Sequence, residues 1–273
     1  MTQAEFDPSA YLARIGYAGP REASLQVLRD LHRLHAAAIA FENLSPLMGE
    51  PVPLALPDLE AKLVRGGRGG YCFEQNALFR AALLALGFEV QSLAARVRWG
   101  LAPDAPSGAR SHMALLVRLA EGPFVADVGF GGMTMSGPLA LDTGEAQQTP
   151  HERFRLEAAP GGEYDLQAET GETWRTLYRF DLVPHLPQDY EPLNWFTATN
   201  PGSPFPNQLM AARAEPHRRL ALANTRFTVR EQGQAAVERT LGSLDELGRV
   251  LSEDFGLTLP AGFERVGDKL GLR

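Results

Sequence analysis

The only cysteine in the 273-residue chain closes the stretch Arg65-Gly66-Gly67-Arg68-Gly69-Gly70-Tyr71-Cys72 and opens an apolar run. Phe73, Ala77, Leu78, Ala81, Ala82, Leu84 and Ala85 recur at three- and four-residue steps, and Gly87 offers a stop. That spacing predicts a helix whose first turn carries Cys72. Unpaired N–H groups and the macrodipole at such a position favour a thiolate. The glycines before it let a second backbone or a ligand come close to the sulfur. Free cysteines are also among the most buried residues, so an inert structural thiol is the competing reading.

A nucleophilic thiol needs a base, and the base needs an orienting group. His32 and His35 fall among Leu and Ala on a helical segment, which predicts packed or half-exposed rings. His151, His185 and His217 lie in polar or proline-flanked surroundings and read as surface residues. His112 differs, because it opens the apolar strand Met113-Ala114-Leu115-Leu116-Val117, where an unpaired imidazole is costly. Asp127 is the matching carboxylate, inside Phe124-Val125-Ala126-Asp127-Val128. If Glu121-Gly122 is the turn of a hairpin, Ala120 faces Pro123, and His112 and Asp127 point to the same sheet face. They are then about four residues out of register, so twist, a bulge or a shifted turn must bring them together. Gly129-Phe130-Gly131-Gly132 follows at once. It has the spacing of neither a dinucleotide fingerprint nor a P-loop, but successive free N–H groups there suit an anion such as a pyrophosphate. No His, Cys, Asp or Glu cluster has metal-ligand spacing, so no metal is expected.

The elements that must hold these residues fall into three stretches. The first is helical: Asp7-Pro8 caps a short helix, a longer one runs from about Ser24, and a Pro-rich connection follows Phe41-Glu42-Asn43-Leu44. A short helix is expected over Asp58 to Val64 before the Cys72 helix. The second stretch reads as strands over Val90–Trp99, His112–Leu119, Phe124–Val128, Arg153–Ala158 and Thr173–Phe180, with a loop from Leu101 to Arg110. Together they predict a curled antiparallel sheet or barrel. Six prolines between Pro184 and Pro206 mark a connection with a short helix. Strands near Leu220–Leu222 and Phe227–Val229 and a helix behind a Ser243/Glu246 capping box complete the chain.

Composition is that of a globular protein, 44% hydrophobic and 22% charged. Twenty-six Lys and Arg against 33 Asp and Glu leave a net charge of −7, which argues against general binding to nucleic acid or an anionic membrane. One cysteine excludes an intramolecular disulfide framework and suits a reducing cytoplasm. The start MTQAEFDPSA lacks the pattern of a secretory leader, and no apolar run reaches spanning length.

Arg68-Gly69-Gly70-Tyr71-Cys72-Phe73-Glu74-Gln75-Asn76 resembles the nucleophile signature of the arylamine N-acetyltransferases. Further matches follow in the family's order: Tyr11–Tyr17, Phe41–Leu44, Ser111–Met113, Ala126–Gly132, Trp195–Thr197 and Phe227–Val229. The resemblance covers essentially the whole chain. It departs at Ala40, where proline is usual, and at Asn200, where histidine is common. It implies an α+β fold: a helical bundle over 1–88, an antiparallel β-barrel over 89–190, and an interdomain helix with an α/β lid over 191–273. The catalytic core would be like that of cysteine proteases and transglutaminases. It also implies ping-pong transfer from acetyl-CoA through Cys72 to an arylamine, arylhydrazine or N-hydroxyarylamine. Cys72, His112 and Asp127 would form the triad. Gly129, Phe130, Gly131 and Gly132 would line the path of acetyl-CoA, with Tyr71, Phe130 and Phe205 near the acceptor. Arg14, Glu42 and Arg68 would form a supporting charged cluster. A thiol protease or transglutaminase-like enzyme could carry the same trio, and a non-catalytic CoA-binding protein could keep the scaffold. Acetyl-CoA as donor without a protein substrate discriminates the first, and any acetyl transfer the second.

Overall fold

The computed structural model describes residues 6–102 and 104–273. Residues 1–5 of the expected leaderless start and Pro103 of the expected loop lie outside it. Asp7 caps helix α1 (Pro8–Arg14) by accepting from Ser9 N, and Ser24 caps α2 (Leu25–Ala38) through Val27 N. The chain then places a two-residue strand, β1 (Phe41–Glu42), and the short helix α3 (Leu44–Leu47). Helix α4 (Leu56–Leu59) widens into a π-helical turn over Glu60–Arg65, so the helix expected from Asp58 starts two residues earlier. Helix α5 runs over Cys72–Ala85, with Cys72 as its first residue.

Eight antiparallel strands form the central sheet. They are β2 (Glu89–Val97), β3 (His112–Leu119), β4 (Gly122–Ala126), β5 (Leu139–Ala140), β6 (Gln147–Gln148), β7 (Arg153–Ala159), β8 (Glu163–Thr170) and β9 (Thr173–Phe180). Their order is β5-β4-β3-β2-β9-β8-β7-β6, and β5 returns against β7, which nearly closes the sheet into a barrel. The barrel interior is apolar, built on Phe154, Phe180, Tyr178, Leu166 and Leu116. Strand β8, EYDLQAET, shows little period-two contrast in sequence because only its middle, Leu166 to Ala168, is buried. The β3–β4 turn is Ala120-Glu121, since Leu119 faces Gly122. The expected turn at Glu121-Gly122 is thus shifted by one residue. The shift halves the register offset between His112 and Asp127, because Leu115 now faces Ala126.

Helix α6 (Pro187–Thr199) crosses from the barrel to the last part of the chain, with Pro192 inside it. It is longer than the short helix expected, and residue 190, where the sequence division fell, lies within it. Strands β10 (Met210–Glu215), β11 (Arg218–Ala223), β12 (Arg226–Glu231) and β13 (Val237–Thr240) form a second antiparallel sheet, ordered β1-β10-β11-β12-β13. Phe41 pairs with Ala212 and Glu42 with Ala211, so the early chain supplies this sheet's edge. Ala40, Leu44, Leu47 and Met48 are buried in the same core as Leu220, Phe227 and Phe255. That core is closed by α7 (Leu244–Arg249), which continues as a π-helical turn to Asp254, and by α8 (Glu264–Leu270). Ser243 caps α7 as expected, but the Glu246 carboxylate accepts from Gly242 N, one residue ahead of the box position. Among the described residues no helix is long and apolar enough to cross a membrane.

Candidate active site

Three elements bring Cys72, His112 and Asp127 together. Cys72 comes from the first turn of α5, His112 from the first residue of β3, and Asp127 from the residue after β4. The His112 Nε2 lies 2.7 Å from Asp127 Oδ2, and both side chains are buried. With Nε2 engaged by Asp127, Nδ1 is the ring atom left to act on Cys72, which is among the groups that raise His112. The sulfur also lies 3.7 Å from the carbonyl oxygen of Ser111. Burial opposes a charge on His112, but the Asp127 carboxylate and then Cys72 outweigh it, and the imidazole is pushed up to about 10. Burial likewise works to raise Asp127, yet His112, Asn76 and the Gly129 N–H hold its carboxyl below the ordinary range. The pair is therefore an imidazolium and a carboxylate at neutral pH. Tyr178 and Phe130 wall the imidazole, with ring centroids 4.7 and 5.2 Å away.

The main chain entering the glycine loop is already engaged by neighbouring side chains. Asp127 N donates to His32 Nε2, Val128 N to Asn76 Oδ1, and Gly129 N to the Asp127 carboxylate. The amides at 127–129 therefore point inward, and the expected run of free N–H groups does not include Gly129. A side chain at Gly129 would place its Cβ 2.8 Å from Cys72 Cα and 3.0 Å from the Asn76 amide. Glycine is required there because the loop rests directly on the first turn of α5. Phe130, Gly131 and Gly132, together with Gly129, line a cavity of about 870 Å³ that also holds Cys72 and His112. Phe41, Phe196, Phe205 and Trp99 contribute its aromatic walls, and β10–β12 its far side.

Tyr71 does not line that cavity. It is fully buried, its hydroxyl donates to Asn194, and its ring packs at a tilt against Phe205, which does line the cavity, with centroids 5.0 Å apart. Glu42 and Arg68 are paired at 2.7 Å, and the second Glu42 oxygen accepts from Leu44 N. Arg14 stands apart from them and donates to the carbonyls of Leu63 and Ala38. The partner that completes the charged cluster is Lys62, 2.6 Å from Glu74, whose other oxygen accepts from Tyr71 N. Gly69 lies so close to the Ala40 carbonyl that any Cβ would overlap it. These contacts fix the loop that delivers Cys72. Among the described residues no group of three or more His, Cys, Asp and Glu could hold a metal ion.

Several supporting residues escaped the sequence reading. Asn76 sits one helical turn beyond Cys72 and donates to Asp127 Oδ1 at 2.9 Å and to Met113 O at 2.7 Å. A buried amide four residues after the nucleophile was the available signal. Of the two alternatives for His32 and His35, packed or half-exposed, the structure shows the first: both are fully buried, and their partners were not foreseen. His35 accepts from Tyr11 OH and donates to Gln75, whose amide in turn holds the carbonyls of Ala40 and Gly70. His151 is not a plain surface residue either: it donates to Glu215 O, beside the Arg219–Glu152 pair that joins the two sheets.

The buried histidines carry a consequence for acid stability. Burial pushes His32 down to about 4 and His35 to about 3, from the ordinary 6.5. Folding therefore favours their neutral forms, and below pH about 6.5 the unfolded chain binds more protons. Their contribution is complete above that pH and is lost as pH falls toward 4 and 3. At about 1.4 kcal/mol per unit of displacement, the loss is on the order of several kcal/mol. The melting temperature should fall steeply between about pH 6.5 and 4.5, with the upper part of that window preceding most carboxylate titration. Scanning fluorimetry across pH measures it; a flat melting temperature down to pH 4.5 contradicts the assignment.

The chain matches the family model described as N-acetyltransferase over residues 24–263. It is 41% identical to the arylamine N-acetyltransferase of Mycobacterium bovis over 259 residues, covering 93% of this chain and 90% of that protein. It is 40% identical to the Escherichia coli protein of the same name, covering 90% and 87%. A relative from Salmonella typhimurium, 39% identical over 91% of this chain and 88% of that protein, is named arylamine N-acetyltransferase / N-hydroxyarylamine O-acetyltransferase. Among solved structures, the Mycobacterium marinum arylamine N-acetyltransferase superposes with a TM-score of 0.92 at 39% identity, covering 97% of this chain and 98% of that one. Its complex with CoA gives the same figures.

Proposed function

The chain belongs to the arylamine N-acetyltransferase family, and we propose that Cys72, His112 and Asp127 carry its acetyl transfer. The observation that supports this most is that Cys72 and His112 line one cavity, with the imidazole bonded on its buried side to the Asp127 carboxylate and raised by both Asp127 and Cys72. In the first half-reaction the Cys72 thiolate attacks the thioester carbonyl of acetyl-CoA. A new C–S bond forms, the C–S bond to CoA breaks, and the His112 imidazolium supplies the proton that CoA takes with it. The amine of the acceptor then attacks the acetyl-enzyme, His112 removes its proton, and the Cys72 thiolate leaves. An arylamine is uncharged at neutral pH, so its lone pair is available without a further base. Asp127 holds the ring and stabilises the imidazolium without itself taking up the proton.

The aromatic walls contributed by Phe41, Phe205 and Phe196 suit the ring of an arylamine, arylhydrazine or N-hydroxyarylamine. Phe130, Gly131 and Gly132 border the same space and would meet acetyl-CoA. A free thiol nucleophile fits a reducing cytoplasm. The experiment separates the half-reactions. Acetyl-CoA alone should yield one CoA and one acetyl group on the peptide containing Cys72, and an added arylamine should collect that group. Steady-state rates should give parallel double-reciprocal lines. Acetylation confined to lysines, or intersecting lines with no acetyl-enzyme, would reject the mechanism.

A further inference from the structure

We propose that His32 is a positioning residue for this reaction, acting on Asp127 through the main chain. The inference rests on the reading that Asp127 orients His112. Strand β4 ends at Ala126, so the Asp127 amide has left the ladder with β3. A buried N–H at such a point needs an acceptor from elsewhere. It finds His32 Nε2 at 3.1 Å, on helix α2 and 95 residues earlier in sequence. Asn76 grips the Asp127 carboxylate from α5, while His32 grips its backbone from α2. Two anchors from two helices fix both the position of the residue and the direction of its side chain.

The state of His32 follows from its partner. Because Nε2 accepts the hydrogen bond from the amide N–H, the ring is neutral and its own proton is on Nδ1. Nδ1 is buried and has no hydrogen-bond partner among the described residues. The ring is fully buried and packs edge-on against Phe79, with centroids 5.8 Å apart. An aliphatic side chain could fill that space without the unpaired Nδ1–H, but it would leave the Asp127 N–H without an acceptor. What the imidazole adds is the acceptor for Asp127. The charged or titratable groups facing it are Asp127 itself and His35. His32 touches no reacting atom; its influence passes through Asp127 to His112.

The test compares three substitutions. His32→Leu fills the space without an acceptor, His32→Gln keeps one at similar reach, and His32→Asn carries an amide too short to reach. Each purified variant is assayed for single-turnover acetylation of Cys72 by acetyl-CoA, for iodoacetamide alkylation across pH, and for melting temperature. His32→Leu and His32→Asn should acetylate about tenfold more slowly or worse, the scale of one unmade buried hydrogen bond. Their alkylation profiles should move away from the wild-type profile, and His32→Gln should restore both rate and profile. If His32→Leu does not fold, the comparison of His32→Asn with His32→Gln decides. Variants that lose thermal stability but keep the wild-type rate per folded molecule and the wild-type profile reduce His32 to packing and overturn the proposal. So does a His32→Gln as slow as His32→Asn. Failure of the underlying reading is distinguishable, because Asp127→Asn would then also leave rate and profile unchanged.

Discussion

Replacing Cys72 with alanine should abolish the acetyl-enzyme and lower arylamine acetylation by on the order of 10⁴-fold or more, the scale seen when a covalent nucleophile is removed. The fold should tolerate the change. The Cys72 side chain is buried, but its hydrogen bond to the Ser111 carbonyl is long, at 3.7 Å, and sulfur makes only weak ones. Alanine is the strongest helix former, so the first turn of α5 should lose nothing in propensity. The space left is about one sulfur atom beside an existing cavity, so the melting temperature should stay within a few degrees of wild type. Intact-mass measurement after incubation with acetyl-CoA gives the readout. The wild type should carry one acetyl group and the variant none, while both give cooperative melts. A variant that still acetylates arylamines at the wild-type rate returns Cys72 to the structural-thiol reading. His112 should respond as well: with the thiol gone, one of the influences that raise it disappears, leaving Asp127 to act against burial.

How far the site was legible depended on whether each residue signalled by its own type or only through tertiary neighbours. Cys72 was unique, stood between a glycine run and an apolar helix, and became the first residue of α5. His112 and Asp127 were polar residues in apolar strands, and their cost when unpaired pointed to each other before any register was known. The register itself could not be read. Ala120-Glu121 and Glu121-Gly122 are both acceptable turns, and the choice rests on the strands packed around β3 and β4. His32 illustrates the other limit. A histidine among leucines on α2 gives no sign of pairing with an amide 95 residues away, and its burial follows from α5 packing against α2.

The fold showed the same division. The long elements with clear spacing, α2, α5, β3 and β9, matched their expected spans closely. Strands β5 and β6 have two residues each, too few for any periodicity, and exist because longer neighbours offer them an edge. Strand β1 is a sharper case, since Phe41-Glu42 looked like the exit of a helix. It pairs with β10, where Phe41 meets Ala212 and Glu42 meets Ala211, and thereby ties the segment before Cys72 to the second sheet. The same segment supplies Phe41 to the cavity and Glu42 to Arg68. Sequence order therefore divides the chain more cleanly than its cores do.

Asp127→Asn should reduce acetyl transfer by on the order of 10³–10⁴-fold while leaving the fold in place, the range found when an orienting carboxylate in such a triad becomes an amide. The two side chains have the same shape, so packing is preserved. The hydrogen-bond accounting is not. One carboxylate oxygen accepts from Asn76 and Gly129, and the other meets His112 Nε2. An asparagine can keep its oxygen toward Asn76 and Gly129 only by turning its NH₂ toward His112. Nε2 must then accept, which puts the ring proton on Nδ1, facing Cys72. In that tautomer the imidazole cannot take a proton from the thiol. The charge that pushes His112 up to about 10 is removed at the same time, and burial then pushes the imidazole down. Alkylation of Cys72 measured across pH should therefore give different profiles for the wild type and the variant. Stability supplies an independent sign. A histidine raised from 6.5 to about 10 on folding contributes stability that is full below 6.5 and fades as pH rises through 10. The variant lacks that contribution, so its melting temperature should decline less than the wild type's between those values. Equal rates, equal alkylation profiles and equal alkaline stability slopes for the two proteins would show that Asp127 does not orient His112.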